Sequence, residues 1–262
     1  EMLEKESAIH PIRAFLIIVL SGIMLKLTYL FASRICRVDL YYYIDAAKTM
    51  LEGGVLYRDF GCSHPPLGYF EFYWMARLFG YDNMYLTIKI GAIVIQTLAA
   101  YIVFLIFARL HDAKTGMFRA LLFLALISLS ADFWPHNIPL TFMLPAFAGI
   151  WFLVKDDFNP GWCSLFFFGM FMSCATLIST NVVFYSLLVP FLAIKNGGFR
   201  IKKIIIDGAV AFAGFAIPFA LVFAYFAAHH ALADWYFWNI GWASIYSGYK
   251  PWYTNILSFF YG

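Results

Sequence analysis

The chain has 262 residues, of which 63% are hydrophobic and 13% charged, whereas soluble domains average about 45–50% apolar and about 25% charged. This excludes an ordinary water-solvated domain and makes lipid the main solvent. A net charge of +3 is too small to suggest a nucleic-acid partner, and the 21% aromatic fraction suits rings that belt a bilayer interface.

In chain order, Glu1 in place of Met and the apolar run at 256–262 predict a longer parent protein. The first apolar stretch, 14–33, is too long for a signal-peptide core, and Glu1, Glu4, Glu6 and Lys26 also argue against one. Further apolar spans are predicted at 86–108, 117–131, 138–154, 161–178, 181–194 and 204–227, with another opening from about 254. The expected fold is an all-α polytopic transmembrane helix bundle. Lys26 and Asp207, in or near spans, read as helix contacts or snorkelling groups.

Orientation follows from Lys and Arg in alternate short loops. One side carries Lys5, Arg13, Arg109, Lys114, Arg119, Lys155, Lys195, Arg200, Lys202 and Lys203. The opposite side carries Arg34, Arg37, Lys48, Arg58 and Arg77 in one long loop and Lys250 in another, but its short loops near 132–137 and 179–180 carry none, and the short loops decide. The N-terminus is therefore expected in the cytoplasm, with 34–85 and 228–253 facing outward. Within 34–85, residues 40–51 predict a helix stopped by Gly53 and Gly54, and Pro65 and Pro66 start a second helix that Gly80 ends. Tyr69, Phe70, Phe72, Tyr73 and Trp74 make this second helix an interfacial one, lying in the membrane surface.

The outward loops hold the chemistry-bearing residues. Asp39 reads either as a helix N-cap or as a general base at the lipid interface. His64 precedes two prolines that restrict its backbone, and is either a solvated loop residue or a phosphate contact. Arg58 and Asp59 form a local ion pair or an anion contact with its orienting acid. His136 is a polar turn residue or a second approach to the site, and His229, His230 and Asp234 read as interfacial polar surface. Asp112, Asp156 and Asp157 read as solvated turn residues, and Cys36 and Cys62 share a compartment that permits a disulfide without requiring one.

The order Asp39, Tyr43, Met50, Leu51, Gly54, His64, Pro65 resembles the first outward loop of GT-C glycosyltransferases, in the branch of protein O-mannosyltransferases and the lipid A aminoarabinose transferase. Residues 214–236 are similar to that family's later span and exit loop. Two departures are a Leu40 where many members carry a second acid, and His64 where some carry Lys. The resemblance implies sugar transfer from a polyprenyl-phosphate donor to a glycan, lipid or protein acceptor on the outer face of the cell membrane, or of the ER membrane in a eukaryote. For that reaction Asp39 is assigned as base, His64 and Arg58 toward the lipid phosphate, and Tyr43, Asp59 and His136 toward substrate, with inversion in a single displacement as the expected outcome. A retaining route through Asp45 or Asp59 stays open, as does a divalent cation; no other cofactor is implied. The competing expectations are a carrier or flippase for a lipid-linked or polar substrate, and a non-catalytic scaffold of the same fold.

Overall fold

The computed structural model describes residues 10–32, 38–129, 141–197, 200–242 and 245. The protein is all-helical; among the described residues no strand forms, and the one β-type contact is an isolated bridge between Leu56 and Phe60. The helices are α1 (Pro11–Ala32), α2 (Val38–Leu51), α3 (Pro66–Phe79), α4 (Met84–Leu110), α5 (Ala113–Leu129), α6 (Met143–Val154), α7 (Trp162–Thr176), α8 (Leu188–Gly197), α9 (Ile201–Ala228) and the short α10 (Leu232–Tyr236). Two described segments, Tyr81–Leu110 and Ile201–Ala228, are long and apolar enough to cross a membrane.

One predicted span differs in kind. Residues 181–194 were expected as one apolar helix, but a 3₁₀ run over Thr180–Leu187 precedes α8. Phe184 and Leu187 of that run are 70% and 64% exposed. Apolar content alone does not distinguish the two helix types, because a 3₁₀ turn stacks side chains three apart where an α-turn staggers them. Lys26 also departs from a snorkelling geometry: it is 2% exposed on α1, the helix whose Gly22 lies against Thr97 of α4. Asp207 pairs within its own helix, accepting from Lys203 Nζ one turn earlier at 2.7 Å.

Small residues set the helix spacing. A Cβ on Gly169 of α7 would overlap the Ala211 carbonyl of α9, and one on Gly214 of α9 would overlap the Phe166 carbonyl of α7. The two glycines thus open the crossing from both sides and let the backbones touch. On the other flank, Gly116 of α5 faces the Phe104 carbonyl of α4, beside a cluster in which Ala14, Ile18, Ala100, Ala120 and Leu124 are fully buried. The α4–α5 turn is closed by Asp112, whose carboxylate accepts from Lys114 and Thr115 N–H groups at 2.8 and 2.9 Å. Asp112 is therefore a helix cap as well as a turn residue, and those bonds hold its pKa below the usual carboxylate range.

At one end of the bundle α2 and α3 pack together over the start of α4 and the last turns of α9. α2 ends in a paired closure: Gly54 N–H donates to Thr49 O at 2.9 Å and Gly53 N–H to Met50 O at 3.2 Å, with Gly53 at φ 90°. α3 opens on Pro66, and the Leu67 N–H that its first turn leaves unpaired donates to Leu177 O at 2.9 Å, at the end of α7.

The α7–α9 crossing yields a two-sided prediction. Gly214→Ala should destabilise the protein by about 1–3 kcal/mol through overpacking. Gly208→Ala on the same helix, where an added Cβ meets nothing within 4 Å, should be neutral or stabilising by up to about 1 kcal/mol. Thermal unfolding of both variants in the same detergent checks the opposite signs.

Candidate functional site

The loop joining α2 to α3 is built around Tyr57. Its φ of 70° lies in the left-handed region, which costs a non-glycine residue about 1–3 kcal/mol. The strain is held by contacts: the ring is 1% exposed and packs 5.2 Å from Phe226 of α9, while its hydroxyl donates to the His64 carbonyl at 2.7 Å. Asn239, just beyond α10, hydrogen-bonds the same hydroxyl, and burial pushes the phenol pKa well above its ordinary value. Asp59 folds the loop from below, accepting from the Val55 N–H at 2.7 Å while its own N–H donates to Val55 O at 2.9 Å.

Arg58 is a tether. Its Nη2 meets Asp59 Oδ2 at 2.8 Å, and its Nη1 donates to the His229 carbonyl at 3.1 Å, bridging the α2–α3 loop to the end of α9. The Arg58 bonds hold the Asp59 carboxyl below its usual range, with the Val55 N–H adding to the effect, and Asp59 raises the guanidinium pKa in turn.

Tyr43 is buried and central. It stacks on Tyr69 at 4.3 Å, packs on Phe72 at 5.4 Å, and lies parallel to the exposed His64 ring at 5.8 Å and 5°. Asp39 is the second residue of α2, inside the first turn rather than at its cap, and stands one helical turn before Tyr43 on the same face. The Asp39 side chain lies outside the described residues, as do His136 and Cys36. Tyr43 and His64 are thus brought together by stacking, with Tyr57 fastening the His64 backbone; Arg58 and Asp59 form a separate pair directed at His229.

Beside this platform is a cleft of about 470 Å³, walled by Phe70, Tyr73, Trp74 and Tyr225, with Gly54 and His229 also on its lining. His229 Nδ1 lies 2.8 Å from the Tyr225 carbonyl. A carbonyl can only accept, so Nδ1 carries the proton and Nε2 keeps its lone pair in the neutral ring. Trp238, beyond α10, covers Gly61 so closely that any side chain there would collide with the indole. Cys62 is a free, buried thiol pushed up to about 12 by burial. The neighbouring Tyr69 hydroxyl is enclosed and raised for the same reason. Among the described residues no three His, Cys, Asp or Glu side chains come together as a metal site.

Two residues of this region escaped the sequence reading. Tyr57 falls between Gly54 and His64 of the GT-C-like pattern, but its role needs a backbone conformation that residue type does not announce. Glu71 is the acid within the aromatic start of α3. Burial raises its pKa from 4.5 to about 7, with a hydrogen bond from Thr141, ahead of α6, pulling the other way. The available signal was an acid flanked by Tyr69, Phe70, Phe72 and Tyr73, a spacing that leaves a carboxylate no fully aqueous helix face.

Compared with known protein families, curated proteins and solved structures, the chain has no match.

Glu71 makes stability depend on pH. Its folded pKa lies above its unfolded value, so the native state binds the extra proton between pH 4.5 and about 7. Stability from this group is full below pH 4.5 and is lost as pH rises through 7, by at most about 3 kcal/mol. Unfolding midpoints measured from pH 4.5 to 8 should fall in the wild type and flatten in Glu71→Gln, which should be the more stable at pH 8.

Proposed function

We propose that this chain belongs to a polytopic membrane glycosyltransferase that moves a sugar from a polyprenyl-phosphate donor to an acceptor at the extracytoplasmic face. In this reading the N-terminus is cytoplasmic and the ends of α2, α3 and α9 face outward. The observation that carries it is the platform in which Tyr43 stacks on His64, one turn along α2 from Asp39 and beside the aromatic cleft. Tyr43 and His64, two residues of the GT-C-like pattern, are neighbours in the fold, which supports this reading.

The chemistry follows from what the reaction needs. The acceptor hydroxyl or amine loses a proton as it attacks the anomeric carbon, and Asp39 takes it. The sugar–phosphate bond breaks as the new bond forms on the opposite face, so the configuration inverts. The phosphate leaves with growing negative charge, which needs a cation rather than a proton. His64 supplies that charge when protonated, and Arg58 adds to the field from its tether. A divalent cation beside the phosphate would contribute the same electrostatic stabilisation. The walls of the cleft suit the apolar faces of a sugar ring or the first isoprene units, while Tyr73 and His229 offer polar contacts at its edge.

A second reading, transport of a lipid-linked or polar substrate, draws on a specific observation. Lys26 is 2% exposed inside α1, and on the adjoining α4 the Gln96 Oε1 and Thr97 Oγ1 atoms are buried with no hydrogen-bond partner among the described residues. Ionisable and unpaired polar groups within spans mark substrate pathways in carriers.

Membranes carrying the full-length protein, supplied with a polyprenyl-phosphate-sugar pool, separate the readings. Asp39→Asn at matched expression should lower transfer by about 10² or more with folding unchanged. Normal transfer by the variant removes Asp39 from the mechanism. Absence of transfer by wild type with every donor, together with substrate uptake that Lys26→Met abolishes, would favour the carrier.

A further inference from the structure

The end of α9 remote from the aromatic platform combines charge and apolar surface in a way the proposed reaction does not use. A concavity of about 340 Å³ is lined there by Trp162, Arg200, Lys202, Lys203, Ile206 and Asp207. Lys203 is neutralised by Asp207 at 2.7 Å. The exposed side chains of Arg200 and Lys202 make no hydrogen bond or ion pair among the described residues, so the pocket carries two uncompensated positive charges. Trp162, at its edge, is 70% exposed, an unfavourable state in water but the usual one for an indole at a membrane surface.

An apolar track leads away from these cations. Ile206, Val210, Ala213, Ile217 and Leu221 follow one another at helical spacing along one side of α9, and Ile206, Ile217 and Leu221 are 38%, 43% and 68% exposed. From Ile206 to Ile217 the helix rises about 16 Å, the reach of a phospholipid acyl chain. A soluble anion or an acidic protein would account for the charges but would leave Trp162 and the track uncovered.

We propose that this pocket is a binding site for an anionic glycerophospholipid, its phosphate held by Arg200 and Lys202, its interfacial region against Trp162, and one acyl chain along the α9 track. The site rests on the membrane-embedded reading of the chain and is independent of the glycosyltransfer assignment.

Native mass spectrometry of the full-length protein in mild detergent, titrated with phosphatidylglycerol or phosphatidylcholine, tests it. The protein should retain phosphatidylglycerol at about tenfold lower concentration than phosphatidylcholine, and the double variant Arg200→Gln, Lys202→Gln should abolish that preference. The charge-preserving pair Arg200→Lys, Lys202→Arg should keep it, and so should Lys114→Gln, which removes an exposed charge on α5. Equal retention of both lipids, wild-type behaviour of the double Gln variant, or an equal loss in Lys114→Gln overturns the site. Alkaline extraction of membranes separates the two levels. Release of the chain into the soluble fraction overturns the membrane-embedded reading and the site with it, whereas retention of the chain without lipid preference overturns the site alone.

Discussion

The backbone contact between α7 and α9 is the constraint on which the rest depends. Two helices reach backbone contact only where both present small residues at the crossing, and close packing of that kind fixes their spacing. Gly169 and Gly214 make this possible by presenting hydrogen where any other residue would present a carbon against a facing carbonyl. With α9 seated at that depth, Phe226 reaches Tyr57, Tyr225 reaches Phe70, and the His229 carbonyl meets Arg58. The same seating brings the end of α7 within hydrogen-bonding distance of α3, through the Leu67 N–H.

The aromatic platform converts this rigid frame into a precise loop. A left-handed tyrosine would relax if its ring were free, but Tyr57 is anchored by Phe226 behind it and the His64 carbonyl in front. The cost is local and the benefit is positional, because the His64 ring is then set parallel to Tyr43. Strain of this kind persists where the surroundings over-determine it, which is common at sites that bind or react. Arg58 contributes in another way. Its bonds run from the α2–α3 loop to the end of α9, and the neighbouring cleft has walls from both α3 and α9.

Polar groups in this molecule are sorted by their partners. Asp59 and Asp112 find donors that hold their pKa low, and Asp207 accepts from Lys203, whereas burial shifts Glu71 toward neutrality against the pull of Thr141. Lys26 is buried on α1, and Gln96 Oε1 and Thr97 Oγ1 on α4 are among the buried polar atoms with no hydrogen-bond partner among the described residues. These groups give the interior of α1 and α4 a polar character that the apolar composition of those helices conceals. Unsatisfied polar atoms at such depth are costly, and a protein keeps them where they meet a substrate, an ion or water.

Much of the fold was legible in the sequence. Long apolar runs announced α1, α4 and α9, because about 20 consecutive apolar residues have few other stable uses. Gly53, Gly54, Pro66 and Gly80 marked the ends of α2 and α3, because glycine and proline act through the local backbone and need no distant partner. The 3₁₀ run at 180–187 was not legible, since its apolar content fits either helix type. Of the candidate residues, the local ones were readable as types: Arg58 with Asp59 as an ion pair, Asp39 at the start of a helix. Which groups meet was decided by tertiary structure alone. The stack of Tyr43 on His64, the anchoring of Tyr57 by Phe226, the tether from Arg58 to His229 and the raised pKa of Glu71 all join residues from separate elements, or depend on what those elements exclude. Local sequence governs short-range backbone choices, whereas burial, stacking and charge pairing are properties of whatever the packed helices bring close.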